Sequence, residues 1–170
     1  MEKIERIYLI GMPASGKTTF GKELAKALNY DFIDLDEVLV EKVGISISDL
    51  FREKGEAYFR DLEKEILENT IPGKTIIATG GGAPCFFENI EFIKKNGFSI
   101  FLNVPVKELA KRSMKQHGSR PLLNDLKEKA LEDELKNKLS LRLPFYQQAN
   151  MKVSGEEISA TFVLHQLKKL

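Results

Sequence analysis

Short apolar runs alternate along the chain with stretches whose apolar residues recur every three to four positions. Ile7 to Ile10 is an unbroken apolar run that stops at Gly11, as expected of a strand buried on both faces. Phe20, Leu24, Ala27 and Leu28 then fall at helical spacing, which predicts a helix over Lys17 to Leu28. Phe32-Ile33 makes a second short strand before Asp34-Leu35-Asp36. Helical patterning runs from about Glu37 to Asn69, interrupted at Gly44 and Gly55, with Ser46 or Ser48 as N-cap.

The second half repeats the alternation. Thr75 to Thr79 predicts a third strand that runs into Gly80-Gly81-Gly82. A helix over Glu88 to Asn96 stops at Gly97, and Phe98 to Val104 reads as a fourth strand. Helices near Val106 to Gln116 and Leu126 to Ala149 flank a polar segment, His117 to Asp125. Met151 to Val153 is a short fifth strand before a final helix, Glu156 to Leu170. Strands separated by helices imply parallel β-α-β units, and such sheets bind ligands at the carboxyl ends of their strands. The residues just after each strand are therefore the ones that matter.

Length and composition narrow the field. A chain of 170 residues fits one compact domain with a proper core. Its 26 basic and 25 acidic side chains nearly cancel, which argues against a nucleic-acid binder. Cys85 is the single cysteine, so no intramolecular disulfide can form and the reducing cytosol is the expected compartment. No window approaches the apolar length of a membrane span, and Met-Glu-Lys-Ile-Glu-Arg has no secretory apolar core, so a cytoplasmic protein without a membrane partner is expected.

The first strand end carries the clearest chemistry. Gly11-Met-Pro-Ala-Ser-Gly-Lys17-Thr18 fits G-x-x-x-x-G-K-[ST] and lies between a predicted strand and a predicted helix. A loop wrapped in this way aims several backbone N–H groups at one anion, and the helix adds its positive end. Gly11, Ala14, Ser15, Gly16, Lys17, Thr18 and Thr19 are thus candidates for nucleoside triphosphate binding, with Lys17 for the terminal phosphates and the Thr18 hydroxyl for Mg²⁺. The loop identifies the donor, not the acceptor.

Other strand ends bear on the acceptor. Asp34 and Asp36 follow the second strand, and residues i and i+2 on a strand point to the same face, so the two carboxylates would converge on one crevice; one could support magnesium and the other take a proton from a hydroxyl. Asp36 could equally begin the next helix. Gly80, Gly81 and Gly82 leave room for a ligand to approach the backbone, or else serve a turn of positive φ. Arg60 and Arg142 are the pair required to grip a carboxylate, although Arg60 could pair with Glu63 or Lys64 and Arg142 could compensate a helix C-terminus. Arg120, in the polar segment, could close over bound phosphates, and Arg112 is either a solvated helix charge or a stacking partner for a base. His117 and His165 stand alone without a second metal ligand, and Cys85 reads as packing.

Taken in order, the phosphate loop, "DLDEVL", "GEAYFRDLE", "ATGGGA", "RPLL" and "LRLPFY" resemble shikimate kinase over nearly the whole chain. The resemblance implies an α/β three-layer P-loop kinase fold with a five-stranded parallel sheet of order 2-3-1-4-5. It implies one domain over 1–170, with acceptor contacts in the helical segment 35–69 and a lid over 116–126. The implied reaction moves the γ-phosphate of ATP to the 3-hydroxyl of shikimate with Mg²⁺, in a monomer. Asp36 would be the candidate base, Asp34 and Thr18 would support magnesium, and Lys17 would stabilise the transferring phosphoryl. Arg60 and Arg142 would bind the shikimate carboxylate, Gly80 to Gly82 would give a backbone contact, Arg120 would reach the ATP phosphates and Arg112 would lie against adenine. The family usually has glycine where this chain has Ala14, and a Cβ disfavours positive φ, so the loop is where a departure is expected. A gluconate-type sugar-acid kinase and a non-catalytic nucleotide-binding regulator are the competing readings.

Overall fold

The computed structural model describes residues 4–70, 73–116, 124–155 and 158–170, with the side chains of 116 and 124–126 outside the description. Five strands form one parallel sheet: β1 (Arg6–Ile10), β2 (Asp31–Asp34), β3 (Thr75–Ala78), β4 (Phe98–Asn103) and β5 (Met151–Ser154). Their order is β2-β3-β1-β4-β5, with β1 hydrogen-bonded on both sides, to β3 and to β4. Every observed pairing is parallel, as the alternation with helices requires.

Successive residues of β1 serve opposite layers. Tyr8 and Ile10 join Ile77 and Phe101 in a core covered by α2 (Leu35–Val43), α3 (Ile47–Asn69), α4 (Asn89–Asn96), α5 (Val106–Gln116) and α6 (Asn124–Tyr146). Ile7 and Leu9 join Ile76, Ile100, Leu102 and Val153 under α1 (Lys17–Leu28) and α7 (Ala160–Leu167). The continuous apolar run is thus explained by burial on both faces. Each such side chain contributes roughly 1.5–3 kcal/mol when fully buried.

Most element ends agree with the sequence to within a few residues, and the differences have local causes. β2 extends through Asp34, and Asp34 caps α2 by accepting from the Asp36 N–H at 3.0 Å. Ser46, rather than Ser48, caps α3, and its hydroxyl oxygen accepts from the Asp49 N–H at 3.1 Å. Gly55 breaks the helical geometry within α3 at φ 80°, where a side chain would be disfavoured. α6 is longer at its start than its pattern suggests and ends at Tyr146, with Leu131, Leu135, Leu139 and Leu143 packing at four-residue spacing along it. α7 begins only at Ala160, capped by Ser159.

Candidate active site

The carboxyl ends of β1, β2 and β3 open into a cavity of about 700 Å³. Pro13 to Thr19 line one wall, Asp34, Asp36, Thr79 and Gly81 the floor, and Arg112, Lys115, Glu23 and Ile158 also contribute. Positive φ at three positions wraps the loop: Gly11 (146°), Ala14 (62°) and Gly16 (91°). A Cβ on Gly11 would stand 2.9 Å from the Leu102 carbonyl oxygen, so this turn admits only glycine.

Ala14 adopts positive φ with its Cβ present, so the loop keeps its shape against the local preference. The left-handed region costs an alanine roughly 1–2 kcal/mol. Ala14→Gly is expected to raise the melting temperature by about 3 °C, corresponding to about 1 kcal/mol after the greater chain entropy of glycine is deducted. Differential scanning calorimetry checks this. A lower melting temperature would mean that the alanine methyl contributes packing that outweighs its backbone strain.

Lys17 lies back across the loop. Its ammonium donates to the carbonyl oxygens of Gly11 and Met12, both at 2.9 Å, and to the Ser15 hydroxyl at 3.4 Å. Burial pushes its pKa down to about 8, while Asp36 and Asp34 pull it back up. Asp36 is shifted in the opposite sense: burial, and then the neighbouring Asp34, raise its carboxyl, and Lys17 and Arg60 lower it. A raised aspartate and a lowered lysine acting on each other across one cavity are suited to proton and phosphoryl chemistry.

The two aspartates do converge, although by capping rather than by strand alternation. Asp34 ends β2 and Asp36 lies in the first turn of α2, so the helix-start reading and the site reading hold together. Asp34 also accepts from the Thr18 hydroxyl at 2.5 Å. This joins a hydroxyl and a carboxylate, both hard oxygen donors, at the foot of the phosphate loop.

The arginines divide between two ends. Arg112 donates from Nε to Glu108 at 2.8 Å and from Nη1 to the Ser15 carbonyl at 3.4 Å, so it is a helix-surface ion pair that also reaches the loop. Arg60, only 8% exposed, donates to Glu63 at 2.7 Å and to Glu56 at 3.2 and 3.3 Å. Its guanidinium carbon stands 4.0 Å from the Phe86 ring centroid. Arg142 projects toward Met12, with Nη1 4.0 Å from the sulfur. Arg60 and Arg142 both act electrostatically on Glu63, Cys85 and Tyr146. Arg120 and the centre of the segment 116–126 lie outside the described residues.

The glycine run serves close packing, and none of the three has positive φ. A Cβ on Gly80 would meet Glu63 at 2.5 Å and Asp36 at 3.0 Å, one on Gly81 would meet Pro13 at 2.7 Å, and one on Gly82 would meet Arg60 at 2.6 Å. At the Cβ positions of these glycines the space is taken by side chains of the site itself, so no larger residue fits there, while Gly81 still lines the cavity.

Several participants went unrecognised in the sequence. In the sequence Glu63 reads as a partner of Arg60 on an exposed helix face, yet it is 3% exposed with its carboxyl raised by burial. Its spacing of three from Arg60 was the available signal. Glu56 had the same kind of signal, four residues before Arg60 on one helix, and Pro13 lies within the phosphate loop; Ile158 had none, because tertiary packing alone brings it in. Cys85 is half-buried against the first core, its thiol pushed up to about 11 by burial, in keeping with a packing role. His165 is exposed, and His117 lies outside the described residues.

A family model described as shikimate kinase matches residues 13–170. The chain is 44% identical over 146 residues to a shikimate kinase of Bacteroides fragilis, covering 85% of this chain and 82% of that one. It is 37% identical to one from Parabacteroides distasonis, over 96% and 95% of the two chains. Among solved structures, shikimate kinase from Bacteroides thetaiotaomicron superposes with a TM-score of 0.87 at 38% identity, over 99% of this chain and 100% of the other. Shikimate kinase from Acinetobacter baumannii in complex with shikimate gives 0.82 at 34% identity, over 99% and 92%.

Proposed function

The chain belongs to the shikimate kinase family, and from that membership we propose how its own residues divide the work of phosphorylating shikimate with ATP. The cavity at the phosphate loop takes the triphosphate, with the loop N–H groups and Lys17 on the phosphate oxygens. The adenosine end extends toward Arg112, with Ile158 and Lys115 as further lining. Shikimate lies beyond Asp36, its carboxylate gripped by Arg60 and Arg142, with the glycine turn as backing.

In the transfer, the 3-hydroxyl oxygen of shikimate forms a bond to the γ-phosphorus as the bond to the bridging oxygen of ADP breaks. The hydroxyl proton passes to Asp36, whose raised pKa suits it to hold a proton. Lys17, released from the Gly11 and Met12 carbonyls, follows the charge on the γ-phosphoryl oxygens.

Thr18 and Asp34 fit magnesium: they are oxygen donors already 2.5 Å apart. Among the described residues no cluster of three or more His, Cys, Asp or Glu side chains could hold a metal ion, so magnesium at Thr18 and Asp34 would take its remaining ligands from phosphate and water. Bound there, magnesium would neutralise charge on the terminal phosphates. A monomer working in the cytosol completes the reading; the single cysteine supports that compartment. Among the described residues no helix is long and apolar enough to cross a membrane.

The observation that carries this assignment is the opposition of Lys17 and Asp36 across one cavity. Asp36→Asn keeps the shape and removes the proton acceptor. Its kcat is expected to fall by roughly 10²-fold or more with the KM for ATP unchanged. Steady-state kinetics showing a near-normal kcat would assign Asp36 to positioning alone.

A further inference from the structure

Tyr146, the last residue of α6, is fully buried, and its hydroxyl donates to the Gly81 carbonyl oxygen at 2.5 Å across 65 residues of sequence. Its ring packs on Phe101 of β4 with centroids 5.0 Å apart. The hydroxyl also stands 3.8 Å from the Met12 sulfur in the phosphate loop. A phenylalanine would fill the same space; only the hydroxyl reaches the glycine turn.

The carbonyls of that turn are each taken by a different partner. Gly80 accepts from the Ala83 N–H at 3.2 Å, and Gly82 from the Cys85 N–H at 2.9 Å. Ala83 accepts from the Asn89 side-chain amide at 2.9 Å. The residue three positions after Gly81 is Pro84, which has no N–H to donate, and Tyr146 supplies the partner of the Gly81 carbonyl. Because the peptide is planar and trans, drawing the Gly81 oxygen toward Tyr146 turns the Gly82 N–H the opposite way. Glycines hold an orientation poorly on their own. The bond to Tyr146 therefore fixes a peptide that the glycines leave free.

The same residue holds the helix that carries Arg142. Residues four apart lie on one helix face, so Arg142 is one turn before Tyr146 on the same side of α6. Both approach Met12, Arg142 through Nη1 and Tyr146 through its hydroxyl. Burial raises the pKa of the phenol, so it remains a donor throughout the working pH range.

We propose that Tyr146 is a positioning residue for the acceptor: its hydroxyl sets the Gly81–Gly82 peptide and seats Arg142 one helical turn earlier. This rests on the reading that the glycine turn and Arg142 face shikimate. The phosphate loop's own turns and Lys17 set its anion-facing N–H groups, and the hydroxyl's approach to Met12 is a 3.8 Å contact with sulfur, so nucleotide binding should change little when the bond to Gly81 is lost.

The test is Tyr146→Phe, with shikimate and ATP-analogue dissociation constants measured separately by calorimetry and the melting temperature measured alongside. The dissociation constant for shikimate is expected to rise roughly five- to tenfold, the size of one lost hydrogen bond, with that for nucleotide unchanged. A lower melting temperature with both constants unchanged would overturn the proposal and leave Tyr146 a structural residue. Equal weakening of both ligands would overturn it too, since that reports general loosening.

Arg142→Ala, measured in parallel, separates the underlying reading from the proposal. If it weakens shikimate and Tyr146→Phe does not, the carboxylate grip stands and the positioning role falls. If it leaves shikimate binding unchanged, the grip falls; Tyr146→Phe still decides, because weaker shikimate binding then acts through the Gly81–Gly82 peptide alone. Should Tyr146→Phe not fold, 3-fluorotyrosine placed at 146 keeps the ring and gives a stronger donor. A change confined to shikimate affinity would support the role, and no change in either affinity would overturn it.

Discussion

Lys17→Ala is expected to lower kcat/KM by roughly 10²- to 10³-fold, the usual cost of removing one donor aimed at developing negative charge. The ammonium is enclosed by the Gly11 and Met12 carbonyls and the Ser15 hydroxyl, and its pKa falls to about 8 through burial. That depression has a definite sign. The folded, nucleotide-free protein binds fewer protons than the unfolded chain between about pH 8 and the ordinary lysine value of 10.5. The charged lysine therefore costs stability below that window, and the cost is relieved as pH rises through it. Removing the side chain should leave the melting temperature at neutral pH unchanged or higher while activity collapses.

The same shift predicts a pH profile for the wild-type protein. Triphosphate binding favours the ammonium, so nucleotide affinity should be flat below about pH 8. Above that it should fall by about tenfold per pH unit until the lysine pKa of the complex is reached. Calorimetric titration with a non-hydrolysable ATP analogue across this range checks it. A flat profile to pH 10 would mean that Lys17 is already fully charged in the free protein.

Arg60→Ala carries the second large expected effect, in two separable parts. Glu63 is 3% exposed and relies on Arg60 as its hydrogen-bonded counter-ion at 2.7 Å. Removing the arginine strands a buried carboxylate, which should cost about 3 kcal/mol of stability at neutral pH. The carboxyl of Glu63 is already raised by burial, and losing Arg60 raises it further. A raised carboxyl stabilises the fold below its unfolded pKa and loses that benefit as pH rises, so the variant should recover stability on acidification. Shikimate affinity should fall as well, by roughly 10²-fold, because a bidentate carboxylate contact is lost. Adding Glu63→Gln to Arg60→Ala separates the parts: stability should return and shikimate affinity should not. If both return, Arg60 acts only as the partner of Glu63.

The strands, the phosphate loop and most helix ends were legible because they depend on local rules. Ile7 to Ile10 reads as a doubly buried strand from its apolar continuity, and Gly44 and Gly55 mark a helix end and a break from their backbone freedom. The order of the strands was not legible from periodicity, which says nothing about neighbours. It followed from the resemblance, and the sheet has that order. Asp34 and Asp36 were recognised as a pair for a geometric reason that does not apply, since α2 begins between them and the cap brings them together. The glycine run was legible as a close approach, but not what approaches: Glu63, Asp36, Pro13 and Arg60 come from elements distant in sequence. Tyr146 was hidden for the same reason. An aromatic residue at the end of a helix whose leucine stripe packs inward reads as core until its hydroxyl is seen to reach another strand's turn.

The most direct test is ATP turnover by the purified protein with magnesium, comparing shikimate, quinate, gluconate and no acceptor. ADP release that depends on shikimate, with little on the other two acids, is the predicted result; it would show that the phosphate held by the Gly11–Thr18 loop leaves for a cyclic hydroxy acid. Tight ATP binding without turnover on any acceptor, or turnover on gluconate equal to that on shikimate, would contradict the account.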